Sequence, residues 1–286
     1  MKAAKFDYLQ PQTLTDALQT LAQPEPGHIV KVMGGSQSFG PMLNLRLTRP
    51  NQVVDVSRLP QLRQVQVSDQ VIRIGGAVTH AEIEDGVHEA LRGSMLQYVA
   101  GGIAYRAVRN RGTIGGSLAH ADPAADWVLA LSAMAATLEL QSAQGSRCVP
   151  MDAFMYGAYT TALQDGEIIA DVQVPILDTN ARWGYHKFCR KTGEFAEASC
   201  AAVFDPARKR ARIMVGALDG APKPLPDLAR QVAATGTMPE PQQILQALER
   251  LGSDPVKRSM QAAVVTRCLQ QVLRTPEVTS EYEEQA

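Results

Sequence analysis

Two glycine-rich segments, far apart in the chain, carry the residue types best suited to chemistry. The first is Met33-Gly34-Gly35-Ser36-Gln37-Ser38-Phe39-Gly40; the second is Gly112-Thr113-Ile114-Gly115-Gly116-Ser117, followed by Asp122-Pro123-Ala124-Ala125-Asp126. Consecutive glycines let a main chain approach a bulky anion closely and turn its N–H groups toward it. With the Ser36 and Ser38 hydroxyls and the Gln37 amide, the first segment offers enough hydrogen bonds to hold a pyrophosphate without a lysine. An ordinary tight turn after a strand is the alternative. In the second segment Thr113 adds a hydroxyl, and Gly115 and Gly116 permit close approach. Taken together, the two read as halves of a dinucleotide clamp.

The carboxylates that follow have a different chemistry. Near a diphosphate they would repel it, so a ligand role for them means accepting hydrogen bonds from ribityl or ribose hydroxyls or an adenine amine. Asp122 precedes Pro123 and suits a helix N-cap. Asp126 has less structural reason for its place and is the better ligand candidate. Two familiar phosphate motifs are absent. Gly35 and Gly40 have Walker A spacing, but Pro41 and Met42 stand where Lys and Ser or Thr are required. No G-x-G-x-x-G follows a strand and opens a helix, so the Rossmann fingerprint is missing too. Nor is there an obvious Ser, Cys or His constellation for nucleophilic catalysis, and no catalytic residue is assigned.

The elements that must position these segments follow from local pattern. Thr13 to Ala22 reads as a helix with Thr13 as N-cap, and His28 to Met33 as a buried strand running into the first glycine segment. Gln52 to Val56 is a second strand. Val65, Val67, Val71, Ile72 and Ile74 alternate about a Ser68-Asp69 turn as a hairpin. Thr79 and Glu82 form a capping box opening a helix over Ala81 to Leu91, and another helix covers Ser94 to Ala104. A helix capped by Asp122 is predicted from Pro123 to Ala136. Strands follow at Thr137 to Gln141, Arg147 to Val149 and Glu167 to Val174. A new unit begins near Asp178 with strands Trp183 to Arg190, Ser199 to Phe204 and Arg210 to Leu218. Helices over Leu225 to Ala234, Glu240 to Leu251 and Asp254 to Leu273 complete it. Runs of strands followed by runs of helices indicate an α+β unit, not a doubly wound sheet. The tail Thr279 to Ala286 is expected to fray.

With 286 residues, 45% hydrophobic and 20% charged, the chain can bury a full core in one large or several smaller domains. A formal net charge of −1 leaves no basic surplus for a nucleic-acid backbone, so no nucleic-acid partner is expected. The opening residues form no apolar signal region and no stretch has the length to span a bilayer, which predicts a cytoplasmic protein without membrane insertion. Cys148, Cys189, Cys200 and Cys268 include no C-x-x-C pair. They read as buried free thiols, and an iron–sulfur cluster would have to reside on another chain. His28, His80, His88 and His120 lack metal-ligand spacing, so no metal site is assigned; His120 lies between the second glycine segment and Asp122.

These residues resemble a known family. Gly34-Gly35-Ser36 through Leu43-Asn44-Leu45-Arg46, and Arg109-Asn110-Arg111-Gly112-Thr113-Ile114-Gly115-Gly116-Ser117 with Asp122-Pro123-Ala124-Ala125-Asp126, are similar to the two signatures of the FAD-binding medium subunit of molybdenum hydroxylases. That family includes carbon monoxide dehydrogenase and bacterial relatives of xanthine dehydrogenase, and the resemblance spans essentially the whole chain. It implies an α+β fold of the PCMH type: FAD-binding α/β subdomains at residues 1–56 and 57–177, then a domain at 178–286 with a three-stranded antiparallel sheet and a helical bundle. Carried over by position, it places cofactor contacts on Val32, Met33, Gly34, Gly35, Ser36, Gln37, Ser38 and Phe39, and a second set on Thr113, Ile114, Gly115, Gly116 and Ser117. Asp126 would hold the polyol or ribose region. Ile168 or Ile169 would lend a backbone amide and an aliphatic side chain to the flavin. Tyr185-His186-Lys187-Phe188-Cys189-Arg190-Lys191 resembles the family's Tyr-x-Lys-x-x-Arg-Arg strand, in which the lysine lies near the isoalloxazine; here Lys191 replaces the last arginine. His186 beside Lys187 leaves the lysine's register open by one, and a solvated surface lysine is the alternative.

The implied function is an electron-transfer flavoprotein subunit that passes electrons from a partner's iron–sulfur clusters to an external acceptor. The implied partners are a large subunit with the molybdopterin cofactor and a small subunit with 2Fe–2S clusters, assembled as a heterotrimer or its dimer. The rivals are a stand-alone FAD-dependent oxidoreductase with its own substrate pocket and a flavin-free scaffold.

Overall fold

A computed structural model of the chain describes residues 2–68 and 70–274. Asp69 of the predicted turn, and the tail from Thr279 to Ala286, lie outside the described residues.

The first part of the chain forms β1 (Asp7–Leu9), α1 (Leu14–Ala22), β2 (Val30–Met33), α2 (Phe39–Asn44) and β3 (Gln52–Asp55). Its sheet is parallel in the order β1-β3-β2, with Tyr8 and Lys31 both opposite Val53. Thr13 caps α1, its hydroxyl accepting from the Asp16 amide at 3.1 Å. Helix α1 buries Ala17 and Leu21 in a small core with Val54, Val56 and Ile168. Val30 and Val32 of β2 pack against the same core, just before the first glycine segment.

The middle of the chain contains β4 (Val65–Ser68), β5 (Val71–Gly75), α3 (His80–Glu84), α4 (Met95–Gly101), α5 (Arg106–Arg109), α6 (Ile114–His120) and α7 (Asp126–Ala133). It continues through β6 (Thr137–Ser142), β7 (Gly145–Pro150), β8 (Met155–Gly157), β9 (Thr160–Thr161) and β10 (Ile168–Pro175). The long strands make an antiparallel sheet ordered β4-β5-β10-β6-β7. Every residue of α7 is buried, because the helix lies against α4 and α6 on one side and the strands of the last unit on the other. An amphipathic pattern is therefore absent from it.

The last unit comprises β11 (Arg182–Phe188), β12 (Ala198–Asp205), β13 (Arg210–Gly216), β14 (Lys223–Pro224), α8 (Pro226–Thr235), α9 (Pro241–Glu249) and α10 (Pro255–Leu273). Its sheet is antiparallel in the order β11-β12-β13-β14, so a two-residue fourth strand joins the three expected from sequence. Helices α8, α9 and α10 bury Leu228, Val232, Ile244, Leu248, Val265 and Leu269 with the strand residues Cys200, Ala202 and Ile213. Asp254 caps α10 by accepting from the Val256 and Lys257 amides. No helix among the described residues is long and apolar enough to cross a membrane.

Several boundaries differ from the sequence expectation for local reasons. The Thr79–Glu82 capping box is present, but α3 stops at Glu84, and Gly86 turns the chain with φ of +62°. Only a short 3₁₀ turn at Glu89–Leu91 remains of the rest. Helix α4 ends at Gly101, and Ala104 takes φ of +44° before α5 begins. The helix expected from Pro123 starts only at Asp126: Ala121 turns left-handed at φ of +51°, and Asp122 caps a turn instead, accepting from the Ala124 amide at 2.9 Å. The second glycine segment, read as loop, is itself the first turn of α6, with Thr113 as N-cap.

Candidate functional site

Strand β2 ends where the Val56 amide donates to the Met33 carbonyl at 2.9 Å, and the chain then leaves the sheet as the first glycine segment. Ser36 adopts φ of +62°, a left-handed conformation rare for a residue with a Cβ, and its carbonyl accepts from the Gly40 amide at 3.0 Å to open α2. The Gln37 side chain folds back to donate to the Gly35 carbonyl at 2.8 Å. Among the described residues no acceptor takes up the backbone N–H groups from Gly34 to Phe39. A run of uncommitted donors at the end of a strand is what an anion can use.

The second segment is built differently. Its amides are taken up within the fold: Ile114 donates to Val78 O at 3.0 Å, Gly115 to Gly76 O at 2.9 Å and Ser117 to Thr113 O at 3.0 Å. Gly116 donates to Thr113 Oγ1 at 3.1 Å. What it can offer a ligand is the half-buried Ser117 hydroxyl and the bare, exposed surface of Gly116; Thr113 is 3% exposed and its Oγ1 accepts from the Gly116 amide. Its glycines serve packing as well, since a Cβ on Gly115 would stand 2.6 Å from Gly76 O.

The two segments touch. A Cβ on Gly34 would lie 2.8 Å from Thr113 Oγ1 and 3.9 Å from Gly116 Cα, and one on Gly35 would lie 1.7 Å from Arg111 O. Glycine at these positions is therefore demanded by the neighbouring main chain, a requirement separate from any ligand. The contact brings Val32–Phe39 and Thr113–Ser117 into one site.

Asp126 lies deeper than a simple ligand carboxylate. It is 7% exposed, and its Oδ1 accepts from the Tyr185 hydroxyl at 2.5 Å and from Lys187 Nζ at 2.9 Å. Burial raises its pKa, while Lys187 and the Tyr185 hydrogen bond pull the other way. Tyr185 is pushed well up, first by burial and then by the Asp126 charge. Lys187 also donates to Gly102 O at 2.8 Å, so the lysine is a buried partner and not a solvated charge. Tyr185 and Lys187 share one face of β11, while His186 lies on the other face with its Nε2 3.4 Å from Arg267 of α10. Ile168 and Ile169 are 4% and 5% exposed and pack into cores, so neither presents an open side chain.

One histidine that the sequence shows only as lacking metal-ligand spacing is a buried, hydrogen-bonded neighbour of the second segment. His80, the first residue of α3, is 4% exposed and accepts on Nδ1 from Trp127 Nε1 at 3.1 Å, which fixes its proton on Nε2. Its amide donates to the Gly112 carbonyl at 2.9 Å, and a Cβ on Gly112 would meet the imidazole at 2.8 Å. Burial, then the nearby Arg109 charge, lowers its pKa to about 3. The signal was its place inside the Thr79–Glu82 capping box, which turns it inward beneath the second segment. His120 packs against Tyr159, with the rings tilted by 50° and their centroids 5.2 Å apart. Of the cysteines, Cys200 and Cys268 are buried as expected, but Cys148 is exposed and Cys189 half-buried. Cys148 lies on β7, an edge strand whose outer side chains meet water.

An open run of main-chain donors, glycine-packed against a second hydroxyl-bearing segment on a mixed helix-and-sheet scaffold, is the chemistry that a diphosphate-containing dinucleotide calls for. Comparison with known proteins agrees. Residues 4–177 match the family described as the FAD binding domain in molybdopterin dehydrogenase. The chain is 35% identical over 243 residues to the nicotine 6-hydroxylase medium subunit of Paenarthrobacter nicotinovorans, covering 84% of each. It is 34% identical over 199 residues to the carbon monoxide dehydrogenase medium chain of Hydrogenophaga pseudoflava, covering 70% of this chain and 69% of that one. Among solved structures it superposes on a chain of quinoline 2-oxidoreductase from Pseudomonas putida 86 with a TM-score of 0.82 at 28% identity, covering 96% and 98% of the two chains. A chain of the H. pseudoflava carbon monoxide dehydrogenase gives 0.83 at 27% identity, covering 95% and 98%. The chain belongs to the FAD-binding family of molybdopterin dehydrogenases.

Proposed function

We propose that this chain is the FAD-binding, electron-transfer subunit of a heterotrimeric molybdenum hydroxylase. The observation that carries the reading is the uncommitted amide run from Gly34 to Phe39, pressed against Thr113 and Gly116 in a chain of this family. That cradle fits a flavin diphosphate because it presents a run of main-chain donors without protein acceptors. Val32 to Phe39 hold the diphosphate mainly by main chain, and Thr113 to Ser117 by hydroxyls and close approach. Asp126 and Lys187 lie toward the polyol and ring, and Ile168 or Ile169 contributes main chain nearby. When bound, FAD supplies the redox chemistry between a partner's iron–sulfur clusters and an external acceptor.

Within this proposal the FAD-binding subdomains are residues 1–56 and 57–177, and the unit at 178–286 closes the ring end through Lys187. A large subunit with the molybdopterin cofactor and a small subunit with 2Fe–2S clusters complete the enzyme; the relatives named as medium subunits and chains support this. Free cysteines suit a reducing cytoplasm. Against a stand-alone oxidoreductase stand the relatives that match most of this chain, which are named as medium subunits or chains. The test is purification with co-produced neighbouring chains, followed by flavin, iron and molybdenum analysis. One FAD per chain with iron and molybdenum in the partners is expected; a colourless complex, or a monomer fully active on its own, refutes it.

A further inference from the structure

The parallel strands β2 and β3 run side by side with Met33 opposite Asp55, so the chain leaves their carboxyl ends together, as Gly34-Gly35 from one and Val56-Ser57 from the other. The crevice outside the carboxyl ends of such strands is where open α/β sheets take their ligands. A cleft of about 150 Å³ opens there, lined by Gly35, Ser57, Arg58, Arg63, Asn110 and Arg111. Its guanidiniums come from separate elements: Arg58 follows β3, Arg63 ends the 3₁₀ turn Pro60–Arg63, and Arg111 follows α5.

Only Arg63 is neutralised. It donates to Glu82 Oε1 at 2.6 Å and to Ser57 O at 3.3 Å. Arg58 and Arg111 are exposed, and neither guanidinium meets an acceptor or a carboxylate among the described residues. Asp55, just before Ser57, is 5% exposed and already accepts from the Tyr8 hydroxyl at 2.5 Å and the Ser57 amide at 2.9 Å. Asn110 Oδ1 accepts from Arg106 Nε at 2.8 Å, which leaves its NH₂ as the end free to donate. The lining is rich in donors, poor in open acceptors and net positive. A guanidinium fork binds phosphate oxygens two at a time. The adjoining glycine segment has no charged residue from Gly34 to Phe39, so its main-chain donors orient a phosphate without cancelling the charge.

We propose that this cleft is a phosphate-binding site in which Arg58 and Arg111 supply the positive charge that the first glycine segment lacks. The occupant is either the diphosphate of the dinucleotide held by that segment or a free phosphate or pyrophosphate beside it. The first source rests on the FAD reading above; the second stands without it.

The test uses the complex as purified and after removal of its flavin, with inorganic pyrophosphate as the probe and melting temperature measured alongside. Calorimetry on the deflavinated wild type is expected to show pyrophosphate binding that weakens as KCl is added. Arg58→Gln combined with Arg111→Gln weakens it by about tenfold or more, since charged hydrogen bonds are lost. Arg230→Gln, which removes one exposed cation from α8, changes nothing. Absence of binding to wild type overturns the proposal, as does equal affinity in the double variant or an equal loss in Arg230→Gln. Arg58→Lys combined with Arg111→Lys keeps both charges without the fork and recovers part of the affinity. If the glutamine pair does not fold, the lysine pair decides, and wild-type affinity there overturns the site. Competition identifies the occupant: pyrophosphate that displaces FAD marks the flavin diphosphate, and pyrophosphate bound alongside FAD marks a free anion. A wild-type complex that never holds FAD, yet binds pyrophosphate through these arginines, defeats the flavin reading and leaves the phosphate site standing.

Discussion

Acid should loosen the second glycine segment through one imidazole. His80 is buried against Trp127 and Gly112, and its pKa is lowered from 6.5 to about 3, by burial first and then by Arg109. The folded state therefore keeps it neutral while the unfolded chain binds a proton as pH drops below 6.5. Stability from this residue is intact above that value and falls by about 1.36 kcal/mol per pH unit beneath it, until the folded form titrates near its own pKa. At about pH 5 the loss amounts to about 2 kcal/mol, a sizeable share of the roughly 5–15 kcal/mol a domain possesses. Because the His80 amide and ring both support Gly112, flavin retention should decline over the same interval. The assay is urea unfolding of wild type and His80→Gln at a series of pH values from about 7 to 5. Glutamine can still accept from Trp127 but cannot titrate, so every other ionisable group cancels in the comparison. Wild type should lose about 2 kcal/mol more than the variant over that range. Parallel pH dependences would falsify the reasoning.

Two further outcomes concern packing and exposure. Gly35→Val places a Cβ 1.7 Å from the Arg111 carbonyl, a clash no rotamer relieves. The segments should part, with loss of bound flavin and a destabilisation of about 1–3 kcal/mol by urea titration; tight flavin retention in this variant would contradict the placement. Under native conditions an alkylating reagent should modify Cys148, while Cys200 and Cys268 react only after unfolding, since both are buried and burial raises the Cys268 thiol well above its ordinary pKa. Mass spectrometry of peptides distinguishes them, and early labelling of Cys268 would contradict the packing of α10 on β12.

How much was legible in the sequence differs from element to element. Caps were visible where side chain and backbone cooperate locally: Thr13 and the Thr79–Glu82 box cap as their types suggest, whereas Asp254, read as the first residue of the last helix, is its N-cap. The strands of the last unit were visible because apolar runs are bounded by turn residues, as at Asp205-Pro206. Helix α6 was hidden because Gly115 and Gly116 are poor helix formers, and its register is fixed instead by Gly76 and Val78 from another part of the chain. The late start of α7 depends on a left-handed alanine at 121, which no propensity predicts. At the site, the types and spacing of the glycines were legible, but not that Gly34 and Gly35 press on Thr113 and Arg111. Asp126 illustrates the same limit. A carboxylate near a helix start is unremarkable in one dimension, and its pairing with Tyr185 and Lys187 spans some sixty residues of sequence.

The proposed clamp is asymmetric, and the asymmetry makes the two neighbouring glycines of its second segment separable by experiment. The first segment contributes main-chain donors; the second has its own amides tied to Gly76, Val78 and Thr113 and contributes hydroxyls and shape. Gly115 is buried, with Gly76 O, Cα and C all within 3.1 Å of the position of an added Cβ, so Gly115→Ala must shift β5 or α6 and should lower thermal stability. Gly116 is exposed, and an added Cβ meets only the Thr113 hydroxyl, at 2.8 Å; the shift that relieves it weakens the Thr113 cap, a cost offset by alanine's better helix propensity. Gly116→Ala should thus leave the melting temperature near wild type, and a methyl there still stands where a ligand would approach the bare helix turn. Weaker flavin retention at unchanged stability is the expected result, read from equilibrium dialysis with FAD. If Gly116→Ala holds flavin as tightly as wild type, the second segment only buttresses the first, and the flavin's contacts lie with the open amides from Gly34 to Phe39.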